Sequence, residues 1–323
     1  MVRTRFTALA GVRHPVVLGG MGGGTSPELV AAVSNAGGLG IQGASGRSPE
    51  EVRALAAEIK DRTDAPFGMN LLLFRNQHLV DIVLECCPRV FSTAWPTPEQ
   101  RLESIFERAH DAGCLVVHMV STIGEAAMAE AAGADVIVAQ GSEGGGHVGT
   151  MASSVLLPMV AARVGVPVLA AGGFASGAGL AAAIALGADG VLLGTRFLAT
   201  PEAPLHERFK QVIVESDGHD TIACEIPDLA TGIVWPGAYA RVQRNRLVEE
   251  WIGREGELRR QRPEVAARIA AARAAGHPDQ AILYAGQTAG LIDSLLPAAE
   301  VVTSLVAEAE EVVRRRLLPL IET

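Results

Sequence analysis

Eight short apolar runs, rich in valine, isoleucine and leucine, recur between residues 16 and 195, with a helix-like stretch after each. They are VVLGGM (16–21), LGIQG (39–43), FGMNLLL (67–73), VFSTAW (90–95), LVVHMV (115–120), DVIVAQ (135–140), PVLAAGG (167–173) and GVLLGT (190–195). The runs are nearly continuous rather than alternating, which suits parallel strands buried on both faces. Several intervening stretches open with Ser-Pro-Glu or Thr-Pro-Glu, as in SPELVAAVSNAG, SPEEVRALAAEIKD and TPEQRLESIFERAHDAG. That order supplies an N-cap, a proline at the first helical position and an acid favoured by the helix dipole. Several close on Ala-Gly or Leu-Gly, a glycine C-cap. Residues 76–87 read as a weaker helix. Eight β/α units predict an α/β chain folded as a (β/α)8 TIM barrel. A doubly wound open sheet is the competing architecture. It would want fewer strands, and the GGMGGG after the first run lacks the later acidic residue of a dinucleotide site.

After Thr200 the pattern changes. Residues 203–282 are more charged and irregular, with the Arg-rich stretch REGELRRQRPEVAARIAAARAAG. They are expected to form a smaller, mainly helical insertion, a lid on the substrate side of the barrel. Residues 1–202 and 283–323 then make the barrel, with AEVVTSLVAEAEEVVRRRLLPLIE returning as its last outer helix. The net charge of −9 and the lack of a basic stripe argue against nucleic acid. No run of about 20 apolar residues suggests a membrane span. The start MVRTRFTALAGVRHP has no long apolar core, so no signal peptide is read and a cytoplasmic location is expected. Cys86, Cys87, Cys114 and Cys224 show no CxxC and no metal spacing, so reduced thiols and no metal are expected. Aromatic residues are only 4% of the chain, so a flat ligand is expected to pack on aliphatic side chains and backbone.

In a TIM barrel the working face is the carboxyl end of the strands. Gly20 and Met21, Gln42, Asn70, His118, Gln140, Gly172 and Gly173, and Gly194 and Thr195 fall there. The loops after the seventh and eighth runs, AAGGFASG and LLGTRF, carry glycines that let backbone N–H groups approach a phosphate, with the helix starting near Ser176 adding its positive end. Asn70 and Gln140 are amides where apolar residues are expected, and both can bond a planar heterocycle. The loop GSEGGGHVG after the sixth run passes close to such a ring and presents His147. His118 and Glu143 are weaker catalytic candidates. His14, His78, His110, His206, His219 and His277 read as surface or loop positions. Neither a nucleophile elbow nor an HExxH is present.

PVVLGGMGGGTSPELVAAVSNAGGLG, PFGMNLLL, GADVIVAQGSEGGGHVG, PVLAAGGFASGAGLAAAIALGADGVLLGTRF and YAGQTAGLI together resemble the nitronate monooxygenases, formerly 2-nitropropane dioxygenases. The resemblance covers residues 14–200 and a piece near 284–292. It implies an FMN-binding TIM barrel. Gly20 and Met21 would pass along the flavin ring, Asn70 and Gln140 would bond its polar atoms, and Gly145 would lie against it. Gly172, Gly173, Gly194 and Thr195 would hold the phosphate, and His147 would be the catalytic histidine. Many relatives have His-Lys where this chain has His118-Met119, which removes a positive charge near the flavin. Tyr284 and Gln287 are candidates to reach the cavity. The implied reaction is oxidation of alkyl nitronates, or nitroalkanes, with O2 to a carbonyl compound and nitrite. A NAD(P)H-dependent reductase of enoyl thioesters or quinones, and a flavin-binding sensor without turnover, are the alternatives. The oligomeric state stays open, a homodimer being one option.

Overall fold

The computed structural model describes residues 2–321. Eight parallel strands close into a barrel in the order β1 (Val16–Leu18), β2 (Leu39–Gly43), β3 (Phe67–Leu72), β4 (Val90–Ala94), β5 (Leu115–Val120), β6 (Val136–Gln140), β8 (Val168–Ala171) and β9 (Gly190–Leu193). β9 pairs with β1, Val16 opposite Val191, which seals the ring. The TIM barrel is therefore present, and each apolar run supplies one of its strands. A ninth strand, β7 (Gly146–Val148), lies outside the ring in the loop after β6.

Helices begin where the capping signals place them at two of the three Pro-Glu motifs. Ser26 accepts from Leu29 N–H ahead of Pro27–Asn35, and Ser48 with Glu51 forms a capping box ahead of Pro49–Arg62. The third motif differs. Thr97-Pro98-Glu99 closes as a turn, Gln100 N–H donating to Thr97 O at 3.1 Å, and the helix starts only at Leu102. The Gln100 side chain explains the delay. It is spent on Thr97 N–H, Leu73 O and Gln77 Oε1, tying this loop to the one after β3. Residues 76–87 are a broken helix, 3-10 over Gln77–Leu79 and α over Val80–Glu85.

Apolar residues alternate between two compartments. Val17, Ile41, Val117, Val138 and Leu169 fill the barrel interior, while Leu18, Met69, Phe91, Val116 and Ile137 pack outward against the helices. The helix Arg5–Ala10, absent from the sequence expectations, adds Phe6 and Ala10 to the interior cluster. It is tied to the strand side by Arg5 and Asp189, 2.8 Å apart. The long helix Ala298–Val312 packs between Gly177–Ala185 and Pro27–Asn35, the place of the eighth outer helix.

Residues 203–282 carry the helices Glu207–Glu215, Ile226–Thr231, Arg246–Trp251, Glu255–Arg260 and Arg262–Ala274. They also carry two strands the sequence reading did not foresee, β10 (Thr221–Cys224) and β11 (Tyr239–Gln243). β11 runs antiparallel between β10 and β7, and Ala240 stands opposite His147. The segment is thus knitted into the loop at the barrel mouth by a three-stranded sheet. Its own apolar cluster includes Ile226, Val242, Leu247, Trp251 and Leu258. Among the described residues, no helix is long and apolar enough to cross a membrane.

Candidate active site

The carboxyl ends of the barrel strands open into a cavity of about 900 Å3. Gly20 and Met21 line it after β1, Asn70 from β3, and Gln140 from the end of β6. Gly145 and His147 follow in the next loop, Gly172 and Gly173 after β8, and Gly194 and Thr195 after β9. The structure therefore brings together all ten residues singled out as site candidates. Gln42 is not among them, since its amide is buried and bonded to Thr25 and Gly43 O.

Two features of the wall ask for a ligand. Gln140 Oε1 is buried without a hydrogen-bond partner, a state that costs about 1–3 kcal/mol until a donor arrives. The backbone at Gly172 has φ +80°, and a Cβ there would stand 2.6 Å from Gly141 O. Only glycine tolerates both, and the result is a turn lined with backbone rather than side chain. Gly145 serves packing too. A Cβ on it would stand 2.6 Å from the Ala285 carbonyl carbon, so the loop after β6 lies directly on the YAGQTAGLI segment. That contact is clasped by Gln287 N–H to Glu143 O at 2.9 Å and by Gly286 N–H to Thr195 Oγ1 at 3.0 Å.

The expected contribution of the helix after Ser176 is corrected. Its first N–H groups are already taken, Gly177 donating to Glu308 Oε2 at 2.7 Å and Gly179 to Ser176 Oγ. A negative carboxylate from the last helix satisfies that terminus, so it is not open to a phosphate. Glu143 is likewise occupied. Its carboxylate accepts from Ser153 N–H and Oγ–H, capping Ser153–Arg163. His118 is buried inside the barrel wall, 2.7 Å from Thr93 Oγ1 and against Phe106, and does not line the cavity. Burial lowers its pKa to about 4, so the ring is neutral. Met119, Tyr284 and His206 do reach the cavity, whereas Gln287 does not.

His147 is the centre of the far wall. β7 holds its backbone, and Arg241 on β11 fixes the loop by donating from Nε to Ser142 O at 2.8 Å. Its Nε2 lies 2.8 Å from Asp228 Oδ1, with both side chains buried. Its ring stacks on Trp235, centroids 3.4 Å apart and planes within 10°. Trp235 is braced in turn by Phe74 and edge-on by Trp95. Trp95 has φ +53°, a conformation rare for a non-glycine residue and typical of functional sites. Tyr284 lies 5.7 Å from His147, ring to ring. Burial first, then the Asp228 charge, pushes its phenol well above the usual range, so it stays a neutral donor.

The cavity has aromatic walls beside the expected aliphatic and backbone lining. Two of the three tryptophans and one of the two tyrosines line this cavity, so a scarce residue class is concentrated where a flat ligand would sit. Asp228, Trp235 and Arg273, whose guanidinium lies beside Gly23, were not anticipated. The available signal was Trp235 in a Trp-Pro-Gly turn, outside any amphipathic pattern that would bury it.

The family model for nitronate monooxygenase matches residues 3–82 and 75–308. The chain belongs to the nitronate monooxygenase family. Among solved structures it is similar to FabK from Thermotoga maritima, with 34% identity, a TM-score of 0.89, and 99% of this chain and 100% of that one covered. Nitroalkane oxidase from Streptomyces ansochromogenes is 28% identical with a TM-score of 0.81, covering 95% and 98%. A curated relative from Rhodococcus jostii is a (3aS,4S,5R,7aS)-5-hydroxy-7a-methyl-1-oxo-octahydro-1H-indene-4-carboxyl-CoA dehydrogenase, 40% identical over 68% of this chain. The match spans 62% of that enzyme's length. Like the family, the chain is a flavin-dependent oxidoreductase that uses FMN. The cavity fits that group. Gln140 offers an unpaired acceptor to a ring N–H, and the turn at Gly172 exposes backbone to an anion.

Proposed function

We propose that the protein oxidises small alkyl nitronates, and the parent nitroalkanes, to a carbonyl compound and nitrite with O2 as the final acceptor. The observation that carries this is the placement of His147 on the cavity wall, hydrogen-bonded to a carboxylate and fixed against an aromatic face. Gln140 and Asn70 would bond the flavin ring, with Gly20, Met21 and Gly145 along it. Gly172, Gly173, Gly194 and Thr195 would hold its phosphate. When bound, FMN supplies the electron acceptor for the nitronate and passes electrons to oxygen.

The residues of this chain handle the proton and the charge. His147 takes the proton from the carbon next to the nitro group, which leaves the nitronate anion beside the imidazolium. Tyr284 is a neutral phenol near that anion and can donate to a nitro oxygen. Trp95 and Trp235 cover the centre and keep bulk water from it. A supplied nitronate needs no proton removed, so it bypasses the first task of His147. The test is turnover of nitroethane and of preformed ethyl nitronate by the FMN-loaded protein. Nitrite release from both supports the proposal, and release from neither sinks it.

A second reading is favoured by Pro204, Leu205, Phe209, Ala270 and Ile282, which add further apolar lining to the cavity. An apolar cavity of about 900 Å3 suits a larger thioester, as does similarity to a CoA-ester dehydrogenase. Rapid anaerobic bleaching of the flavin by NADH, with an enoyl thioester reoxidising it, would favour this reading over the first.

A further inference from the structure

One carboxylate of residues 203–282 reaches His147 itself. Asp228 sits on the short helix Ile226–Thr231, and its carboxylate contacts His147 Nε2 at 2.8 Å. The two side chains are 12% and 8% exposed, so water scarcely competes for the bond. The helix is stopped by Gly232, whose N–H returns to Asp228 O, and it packs into the insertion core through Ile226 and Ala230. No second cation among the described residues forms an ion pair with this carboxylate.

We propose that Asp228 is a positioning residue that makes Nδ1 of His147 the atom that exchanges a proton. The proposal rests on the role given to His147 above. An ionised carboxylate only accepts hydrogen bonds, so Nε2 must donate, and the neutral ring is held as the Nε2–H tautomer. The lone pair then lies on Nδ1. That atom makes no hydrogen bond, yet it is not among the buried unpartnered atoms, so it faces the open cavity that His147 lines. The Trp235 stack fixes the ring plane, leaving rotation about the ring axis as the freedom that Asp228 removes. In the step itself the C–H bond of the substrate breaks and its electron pair stays on the carbon acid. The proton forms a bond to Nδ1, and the imidazolium is neutralised by the carboxylate on its opposite nitrogen. Without the carboxylate both tautomers are populated, and the positive ring is left without its counter-charge.

The test uses FMN-loaded protein labelled with 15N in the histidine rings, the His147 signal being assigned by its loss in His147→Gln. Long-range 1H–15N spectra should show neutral His147 as a single Nε2–H tautomer, and as a mixture in Asp228→Ala. A wild-type ring protonated at Nδ1, or a tautomer unchanged in Asp228→Ala, overturns the proposal. In parallel, Asp228→Asn should lose about 100-fold or more in kcat on nitroethane while staying within a few-fold of wild type on preformed ethyl nitronate and retaining FMN. Equal losses on both substrates, or loss of FMN, would mark Asp228 as a merely structural tie and overturn it. If wild type turns over neither compound, the nitronate proposal fails, and the tautomer spectra still decide the role of Asp228.

Discussion

At the scale of single residues, the proposed chemistry depends on His147 and the glycine turn at Gly172. His147→Ala should reduce kcat/KM on neutral nitroethane by about two orders of magnitude or more, the usual worth of a general base, with flavin absorbance retained. Gly172→Ala should fold poorly or release FMN. Its φ of +80° and the 2.6 Å approach to Gly141 O both oppose a Cβ. The expected cost is about 1–3 kcal/mol for the backbone alone, read as a lower denaturation midpoint and a weaker FMN affinity. These residues were legible because each breaks a local rule: an amide in an apolar strand, glycines at two adjacent strand ends, a histidine framed by glycine. Asp228 was not legible. Its partner is 81 positions away, and locally it is one acid in the first turn of a short helix.

At the scale of elements, the strands and most helix starts could be read from the sequence because their signals are local. The first helix could not. RFTALA is too short to show a period, and it earns its place by contacts with strand residues far along the chain. Phe6 is fully buried among the interior residues of the barrel. Phe6→Ala should therefore cost about 3–5 kcal/mol, measured by urea denaturation, while the FMN spectrum of the folded protein stays unchanged. β10 and β11 escaped notice for a different reason. Each is a short strand in a charged region, its apolar residues too few or too interrupted to stand out, and β11 pairs with both β10 and β7. The Thr97 turn shows the converse case, where a good capping signal loses to a glutamine whose side chain has better partners across a loop.

At the scale of the whole molecule, stability should depend on pH through His118. Its folded pKa of about 4 lies below the ordinary 6.5 because the barrel wall desolvates it. Below pH 6.5 the unfolded chain binds a proton that the folded chain refuses, so stability falls with pH until about pH 4. Between pH 7 and pH 5 the loss from this group is about 2 kcal/mol, and His118→Asn should remove that part of the slope in urea titrations. The barrel also explains why the ten site residues and a helix residue 81 positions beyond His147 meet: every barrel strand delivers its carboxyl end to one mouth, and β11, paired with β7, brings residues 203–282 to the same place. The most direct measurement is the absorbance of the FMN-loaded protein mixed anaerobically with propionate 3-nitronate. Prompt loss of the oxidised flavin band, or a semiquinone spectrum, restored on admitting air, is the expected result. An unchanged spectrum would contradict nitronate oxidation and shift the weight to the thioester reading.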